Sequence, residues 1–317
     1  MDWTLALGAL VVGVVVGLTG MGGGALMTPV LVLLFGIQPL AAVSSDLVAS
    51  LVMKPVGGFV HLRRGTVHRE LVVWLVLGSV PAAFAGVLVL RALGTGDGVQ
   101  SAVKLALGIA LLVAVTMMIV KAVFDERRRI ALGPIDPDAK VAITVRPAAT
   151  AAIGALGGLV VGMTSVGSGS LIIVALLLLY PTLKTNDLVG TDLVQAVPLV
   201  GAAALGHLIF GDFSFGLTAS ILIGSLPGVY VGARASAVAP NWIIRPAIAF
   251  VLLASALKLL DVPTATVGWV LLAVAIVTPL LWRRGRRALE KRAETRTLRP
   301  EALAPVGGGL APRRGDG

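Results

Sequence analysis

Cysteine is missing from this 317-residue sequence, and histidine occurs only at His61, His68 and His207. The absence of cysteine excludes disulfides, iron–sulfur clusters and thiol catalysis. Three scattered histidines do not favour a zinc site, because zinc needs three or four converging protein ligands. We therefore predict a protein without a metal ion or an organic cofactor.

Charged residues are scarce as well, at 13% of the chain, whereas hydrophobic residues make up 57%. Ordinary soluble domains carry roughly 25% charged residues. Apolar stretches of about 20 residues recur, which is enough to cross a hydrocarbon core of roughly 30 Å as helices. The composition excludes a large soluble domain and predicts an all-α polytopic membrane protein.

The basic excess of the chain is concentrated at one end. Of the net charge of +10, the ten basic and four acidic residues from Arg283 onward contribute +6. Such a cluster directly after an apolar segment is typical of a cytoplasmic membrane end near anionic lipid, and it does not indicate nucleic-acid binding. We predict that residues 283–317 form a basic, disordered cytoplasmic tail.

Eleven apolar segments follow one another, and the first, "MDWTLALGAL", lacks the basic start of a removed signal peptide. They cover residues 4–19, 25–36, 41–60, 70–91, 103–124, 147–163, 170–180, 186–209, 216–236, 243–260 and 266–282. One sizeable polar loop, "DERRRIALGPIDPDAK", divides them. The predicted units are a first transmembrane repeat (1–124), a cytoplasmic linker (125–146), a second repeat (147–260), a terminal transmembrane helix (261–282) and the tail.

The two repeats share residues that a common preference for lipid does not explain. "GLTGMGGG" from Gly17 matches "GMTSVGSG" from Gly162, "VSSDLVAS" matches "VGTDLVQA", and "LGSVPAAFAG" matches "IGSLPGVYVG". From Ser45, which matches Thr191, the offset is constant at 191 − 45 = 146 residues. Chance similarity of Leu- and Val-rich segments would not conserve glycine, aspartate, histidine and proline, so we infer an internal duplication.

Basic residues in the short loops predict the orientation. With the tail inside, the linker and the loop "HLRRGTVHRE" lie inside and the loop "GDFSF" lies outside. His61 then lies at the cytoplasmic face and His207 at the opposite face, so the two repeats are inverted. The prediction is a multi-pass protein of the cytoplasmic (inner) membrane with a cytoplasmic C-terminus.

Each glycine-rich stretch lies between an apolar segment and a very short one. Segments 25–36 and 170–180 are too short to cross a membrane at about 1.5 Å per residue, and whether they are broken or re-entrant helices is open. Matching interruptions in inverted repeats indicate a transporter site near the midplane. The candidate substrate-binding residues at these tips are Gly22, Gly23, Gly24, Gly167, Ser168 and Gly169.

Two properties would allow these glycine-rich tips to bind an anion. These are the positive φ that glycine tolerates, expected at Gly23, and free N–H groups at the start of the following short helix. Close helix packing is the alternative, and it is favoured for Gly13 and Gly17, which have small-xxx-small spacing. A nucleotide phosphate loop is excluded, because no Lys-Ser/Thr pair follows the glycines.

The stretch "GMGGGALMTPVLVLLFGIQPLAAVSSDLVAS" resembles the glycine-rich signature of the sulfite exporter TauE/SafE family of membrane permeases. "VGSGSLIIVALLLLYPTLKTNDLVGTDLV" is similar to the family's second copy, although Ser168 replaces a glycine and Val174 replaces the proline matching Pro29. The resemblance covers about residues 5 to 282. It implies transport of sulfite, sulfonates or related organosulfur anions across the cytoplasmic membrane.

Lys54 lies well within an apolar segment, and its match in the second repeat is Val200. A lysine at membrane depth is costly and marks a functional site by default. The alternatives are that it snorkels to the interface or pairs with a carboxylate. A lone ammonium facing a cavity would bind a sulfite or sulfonate, and Gln195 is a second candidate donor to the substrate.

Asp46 and Asp192 are matched by the repeat and stand at the beginning of their predicted segments. The neighbouring Ser45 and Thr191 are expected to cap these helix starts, where a carboxylate also favours the helix dipole. Both hydroxyls remain candidates for substrate binding. The functional alternative for the aspartates is that one of them binds a proton or Na⁺ during coupled transport.

His61 and His207 end matching segments and are interpreted first as structural or solvated interfacial residues. Because histidine changes its charge near neutral pH, both are also candidates for proton coupling. No Ser-His-Asp or paired-carboxylate motif with catalytic spacing occurs, so we do not expect an enzyme.

These patterns predict a secondary transporter, a permease or exporter, that passes a small sulfur-containing anion by alternating access. No ATP-binding motif occurs, so a proton gradient, a sodium gradient or the substrate's own gradient would supply the energy. The expected partners are the anion and membrane lipid, with a homodimer left open and no nucleic acid. The alternatives are an ion or small-solute channel and a non-transporting membrane scaffold.

Overall fold

The structure is a computed structural model, and it describes residues 2–19, 23–94, 96–132, 143–235 and 241–277. Within these ranges the regular secondary structure is helical, without β-strands. Ten helices are α1 (Trp3–Thr19), α2 (Gly24–Leu33), α3 (Pro39–Arg63), α4 (Arg69–Ala92), α5 (Asp97–Leu132), α6 (Pro147–Thr164), α7 (Leu171–Leu179), α8 (Thr185–Phe210), α9 (Phe215–Ala235) and α10 (Asn241–Leu259). An eleventh, α11, covers Thr264–Val277. Gly22, residues 133–142 of the predicted linker and the predicted tail lie outside the described residues.

Every predicted apolar segment corresponds to one of these helices. Six helices, α3, α4, α5, α6, α8 and α9, contain a stretch that is long and apolar enough to cross a membrane. Large apolar side chains such as Trp3, Phe215 and Trp269 are exposed, whereas Asp46 and Lys54 are buried. This distribution suits a protein surrounded by lipid. The prediction of an all-α polytopic membrane protein is confirmed.

The largest difference from the predicted bounds occurs at α5, which runs from Asp97 to Leu132 and not from 103 to 124. The helix therefore continues into the first part of the predicted linker. Hydropathy marks where the chain leaves lipid, but a helix continues wherever its backbone hydrogen bonds do. The Lys121–Asp125 ion pair, one turn apart at 3.9 Å, is of the kind that supports such an extension.

The short helices α2 and α7 follow the two glycine-rich stretches, as predicted. They have 10 and 9 residues, a length of about 15 Å at 1.5 Å per residue, which is half the thickness of the hydrocarbon core. The interior positions of α2, including Leu26, Met27 and Thr28, are buried. Both helices are thus enclosed by the longer ones and positioned at the centre of the fold.

Two helix pairs pack with their backbones in direct contact: α1 with α9, and α4 with α6. A Cβ placed on Gly224 of α9 would overlap the Ala6 carbonyl, and one on Gly78 of α4 would overlap the Ala151 carbonyl. Only glycine allows two helices to approach this closely. We call these contacts the glycine seams. The packing role predicted for Gly13 agrees with its position in the first seam, where an added Cβ would lie 2.6 Å from the Ser225 carbonyl oxygen.

Between the seams, α3 and α8 cross in opposite directions. Near the start of α3, Ser44 Oγ lies 2.8 Å from Nδ1 of His207, near the end of α8. At the other end of the crossing, a Cβ on Gly190 of α8 would lie 3.0 Å from Nδ1 of His61. The crossing carries most of the charged and polar side chains that are buried in the described part of the chain, and these are Ser44, Ser45, Asp46, Ser50, Lys54, Thr191, Asp192, Gln195 and His207.

Candidate functional site

The loop between α6 and α7 passes through backbone conformations that side chains rarely adopt. Ser165 has a φ of 59°, and Gly167 and Gly169 have φ of 129° and 96°. At these two positions glycine removes the steric penalty of a left-handed backbone. The positive φ expected at Gly23 is wrong, because Gly23 has φ −53° and ψ −34° and continues into α2 as right-handed helix.

The two glycine-rich stretches meet in space. A Cβ on Gly24 would overlap the Ser165 carbonyl and lie 2.8 Å from the Ser165 hydroxyl oxygen, so the start of α2 rests directly on the α6–α7 loop. The nearest atom to a Cβ on Gly23 would be Cε of Met53, at 4.0 Å. Gly22 lies outside the described residues.

The start of α7 offers fewer free donors than the sequence predicts. The N–H of Leu171 donates to the Gly167 carbonyl at 3.0 Å, and the N–H of Ile172 donates to the same oxygen at 3.4 Å. Two of the N–H groups that a helix start leaves without a helical partner are therefore occupied. A ligand at this loop would depend on side chains more than on helix N–H groups.

Asp46 of α3 is buried against both broken segments, with 3% of its surface exposed. Its Oδ2 accepts hydrogen bonds from Ser165 Oγ at 2.6 Å and from Thr28 Oγ1 at 3.2 Å. These bonds tie α3 to the α6–α7 loop and to α2. Our sequence reasoning missed both hydroxyls, although Ser165 lies within the matched stretch "GMTSVGSG" and could have been found there.

Lys54 lies two turns further along α3 and is 8% exposed. Its Nζ donates to the hydroxyl of Ser168 at the tip of the α6–α7 loop. Within the described residues no carboxylate lies within 4.0 Å of this ammonium, although Asp192 and Asp46 are near enough to act on it electrostatically. The lysine is therefore buried at the centre of the protein and does not reach an interface.

Asp192 of α8 has partners of a different kind. Gln195 Nε2 donates to its Oδ1 at 2.9 Å, and the backbone N–H of Gly169 is directed at the same carboxylate. Gln195 Oε1 in turn accepts from Ser79 Oγ of α4 at 3.3 Å. Ser79 was not predicted, but the stretch "LGSVPAAFAG", which the repeat matches, contains it.

We call the six residues Asp46, Lys54, Ser165, Ser168, Asp192 and Gln195 the central polar group. It combines side chains from α3 and α8 with the α6–α7 loop. Beside this loop lies a cavity of about 10 Å³ lined by Ala25, Ala114, Met118, Ser168, Gly169, Ser170 and Leu252, which is room for about one water molecule. In the described ranges, no three His, Asp or Glu side chains are close enough together to hold a metal ion.

The capping role expected for Ser45 and Thr191 is wrong. The helices begin at Pro39 and Thr185, so both hydroxyls lie nearly two turns inside, and Asp46 and Asp192 are not in the first turn either. The predicted segments 41–60 and 186–209 start within two residues of these helix starts, so both hydroxyls also lie inside the segments that hydropathy defined. Thr191 Oγ1 accepts from the backbone N–H of His68 at 3.0 Å, whereas Ser45 Oγ is buried without a partner among the described residues.

The two histidines are not equivalent, and neither hydrogen-bonds the central polar group in the described contacts. His207 is fully buried, with Nδ1 2.8 Å from Ser44 Oγ and Nε2 2.8 Å from the Gly162 carbonyl oxygen. Of the two interpretations predicted for it, structural or solvated, His207 fits the structural one. His61 is half-buried, and its Nδ1 lies 2.8 Å from Thr66 Oγ1.

Known proteins resemble this chain over most of its length. The family model of the sulfite exporter TauE/SafE matches residues 5–259. The probable membrane transporter protein YjnA of Bacillus subtilis (strain 168) is 37% identical over 264 residues, which cover 82% of this chain and 100% of that protein. The probable membrane transporter protein YdhB of the same organism is 24% identical over 238 residues, covering 74% and 91%. No solved structure is significantly similar to this chain.

Proposed function

Because the chain belongs to the sulfite exporter TauE/SafE family, we propose that this multi-pass membrane transporter moves a small sulfur-containing anion across the cytoplasmic membrane. The substrate would be sulfite, a sulfonate or a related organosulfur compound. Transport is secondary, because the sequence contains no ATP-binding motif. The energy comes from an ion gradient or from the gradient of the anion itself.

The environment of Lys54 carries the proposal. An ammonium has three N–H donors, and among the described contacts Ser168 accepts from one of them. A buried cation is costly unless an anion and further hydrogen bonds compensate for its lost hydration. An oxygen of sulfite or of a sulfonate would fill the remaining donors, and the Ser168 hydroxyl could donate to the same anion.

The close packing of the centre favours a carrier over a channel. The cavity beside Ser168 and Gly169 holds about one water molecule, and the start of α2 rests on the Ser165 carbonyl. A polyatomic anion needs the two glycine-rich stretches to separate before it reaches Lys54. This is the behaviour expected of alternating access around a central site.

The proposed inversion of the two repeats is supported by matched contacts. The seam of α1 with α9 and the seam of α4 with α6 use residues that match between the repeats, Gly224 with Gly78 (224 − 78 = 146) and Ala6 with Ala151 (151 − 6 = 145). The second offset is that of the Gly17–Gly162 match (162 − 17 = 145). The matched helices α3 and α8 cross in opposite directions, as inverted repeats require. With the positive-inside rule, we place the C-terminus in the cytoplasm and His61 at the cytoplasmic face.

The test is transport into proteoliposomes with a panel of sulfur-containing anions: sulfite, sulfate, thiosulfate and sulfoacetate. A carrier shows saturable uptake and counterflow for at least one of them, with and without a pH gradient. Flux that neither saturates nor shows counterflow would assign the protein to the channels. Absence of flux for every anion, with normal folding of the purified protein, would contradict the proposed substrate class.

A further inference from the structure

The two repeat-matched aspartates of the central polar group differ in what their partners can do with a proton. Asp192 accepts from an amide N–H of Gln195, and the backbone N–H of Gly169 is directed at the same carboxylate. A backbone N–H only donates, and the amide is held with its oxygen toward Ser79. In this arrangement both donors stabilise an ionised carboxylate, and an acceptor for a carboxylic acid proton would appear only if the amide turned over together with the Ser79 hydroxyl.

Asp46 has hydroxyl partners, Ser165 at 2.6 Å and Thr28 at 3.2 Å. A hydroxyl donates to a carboxylate, and after a rotation it accepts from a carboxylic acid. The same two side chains therefore satisfy Asp46 in its ionised and in its protonated form. Of the two aspartates, Asp46 is the one whose surroundings accommodate a change of protonation by the rotation of hydroxyl groups alone.

The charge of the centre gives a reason for such a change. Two ionised carboxylates and one ammonium sum to −1, and a sulfur-containing anion would make this buried region more negative. Burying unpaired charge is expensive. A proton on Asp46 brings the central polar group to neutrality before the anion arrives, and Lys54 then becomes available to the anion.

We propose that Asp46 carries a proton that moves in the same direction as the anion, while Asp192 stays ionised as a fixed partner of Lys54. This inference rests on the proposed function. It assigns a proton and not Na⁺ because the hydroxyls contact the carboxylate oxygen directly, whereas a sodium ion would have to lie between these oxygens. The step breaks no covalent bond except O–H, since the proton enters from water on one side and returns to water on the other.

Among the described residues, few other titratable groups face Asp46 from the helices packed around it. Lys54 of the same helix acts on it electrostatically, and α8 contributes Asp192 and His207, whose ring nitrogens are engaged by Ser44 and Gly162. The helix α2 has no titratable residue.

The charged residues of α5 and α9 with described contacts interact elsewhere. These contacts join Lys104 to Asp261, Lys121 to Asp125, and Arg234 to the ring of Tyr230.

The test compares Asp46→Asn with Asp192→Asn in proteoliposomes, using radiolabelled sulfite or whichever anion of the panel the wild type moves. Two modes are measured: accumulation driven by a pH gradient, and counterflow at equal pH. Asp46→Asn should lower accumulation at least tenfold but counterflow less than threefold. Asp192→Asn should lower both modes at least tenfold, because Lys54 loses its fixed partner.

Three results would overturn the assignment. The first is that Asp192→Asn, and not Asp46→Asn, shows the selective loss of accumulation. The second is that Asp46→Asn loses both modes equally. The third is that a sodium gradient and not a pH gradient drives the wild type. A wild type that moves no anion in either mode contradicts the proposed function instead. The residue that binds the proton is then identified by spectroscopy of the purified protein.

The residue that binds the proton is identified from the pH-difference infrared spectrum of the purified protein. A carboxylic acid C=O band should be lost in Asp46→Asn and retained in Asp192→Asn, and retention in Asp46→Asn would overturn the assignment whatever the substrate. If Asp46→Asn does not fold, Ser165→Gly removes one hydroxyl at a backbone position that suits glycine. Ser165→Gly should displace the pH dependence of this band, whereas the matched control Ser79→Ala should not, and equal profiles would count against the proposal.

Discussion

The seam between α1 and α9 corresponds almost residue for residue to the seam between α4 and α6, whereas the side chains enclosed between the seams do not correspond. Gly224 meets the Ala6 carbonyl as Gly78 meets that of Ala151. In the centre, by contrast, Lys54 of the first repeat corresponds to Val200 of the second. On the proposed duplication, the scaffold would have kept both copies of the same packing, and the polar chemistry would occur where the two copies differ.

The aspartates show why this comparison matters. Asp46 and Asp192 are among the few polar residues that match between the two proposed repeats, yet their side-chain hydrogen-bond partners come from unmatched positions. Gln195, which binds Asp192, corresponds to Ala49. Two matched aspartates with different hydrogen-bond partners thus give the protein two carboxylates with different chemistry. This difference requires no change in the course of the backbone.

The largest expected effect tests the orientation of the two repeats. The chain contains no cysteine, so Arg64→Cys and Asp212→Cys each create a single reactive thiol. An impermeant maleimide added to right-side-out and to inverted vesicles should label the two variants from opposite sides. Labelling of both variants from the same side would contradict the inversion and would mean that the two repeats have the same orientation.

The second effect tests the divergence in the centre. Lys54→Gln removes a charge-assisted hydrogen bond worth about 1.5–3 kcal/mol, so we expect the affinity for the anion to fall by a factor of about 10 to 100 with folding retained. Lys258→Gln is the control, since that exposed lysine of α10 contacts Thr264 and not the centre. The measurement is substrate binding and transport, and normal values for Lys54→Gln would make the lysine a structural residue.

The third effect tests the equivalence of the seams. Gly78→Ala and Gly224→Ala each force a methyl group against a backbone carbonyl, and overpacking of this kind costs about 1–3 kcal/mol. Their melting temperatures in detergent should fall by similar amounts. Gly98→Ala is the control, because no heavy atom lies within 4 Å of its added Cβ. Clearly unequal decreases in melting temperature would show that the two seams do not contribute equally to stability.

The smallest effect concerns the two histidines. His207→Ala leaves the Gly162 carbonyl without its side-chain partner in a buried site, at a cost of about 1–3 kcal/mol, whereas Ser44 keeps its hydrogen bond to the Leu40 carbonyl. His61→Ala removes one bond to Thr66 near the surface, at about 0.5–1.5 kcal/mol. Thermal melts should rank the variants in this order. The opposite ranking would mean that the described hydrogen bonds of His207 contribute little.

The sequence predicts the helices and their order well because lipid imposes a single rule on every segment. Each long apolar run must close its own backbone hydrogen bonds, so the eleven segments could be identified one at a time. The short helices α2 and α7 followed from the same rule applied to their lengths. The bounds were least reliable at α5, whose polar ends are helical although they are not apolar.

The candidate site was predicted in its residues more than in its contacts. Charge in an apolar run identified Lys54, and the duplication identified Asp46 and Asp192. The hydroxyl of Thr28 could not be found in this way, since serine and threonine in membrane helices commonly bond to their own backbone. Ser165 lies in a matched stretch, but its bond to Asp46 is not visible in the sequence. Which hydroxyl reaches which carboxylate depends on how α2 and the α6–α7 loop fold back, and no local pattern specifies that.

The glycine seams have a mechanical consequence, because each joins one helix of the first repeat to one helix of the second. Backbones in direct contact form a stiff unit, since close-packed interfaces do not deform continuously. The rigid bodies of the transporter are then expected to be the pairs α1 with α9 and α4 with α6, and not residues 1–124 against residues 147–260. Spectroscopic labels placed on α1 and α4 should therefore change their distance during transport, whereas labels on α1 and α9 should keep it.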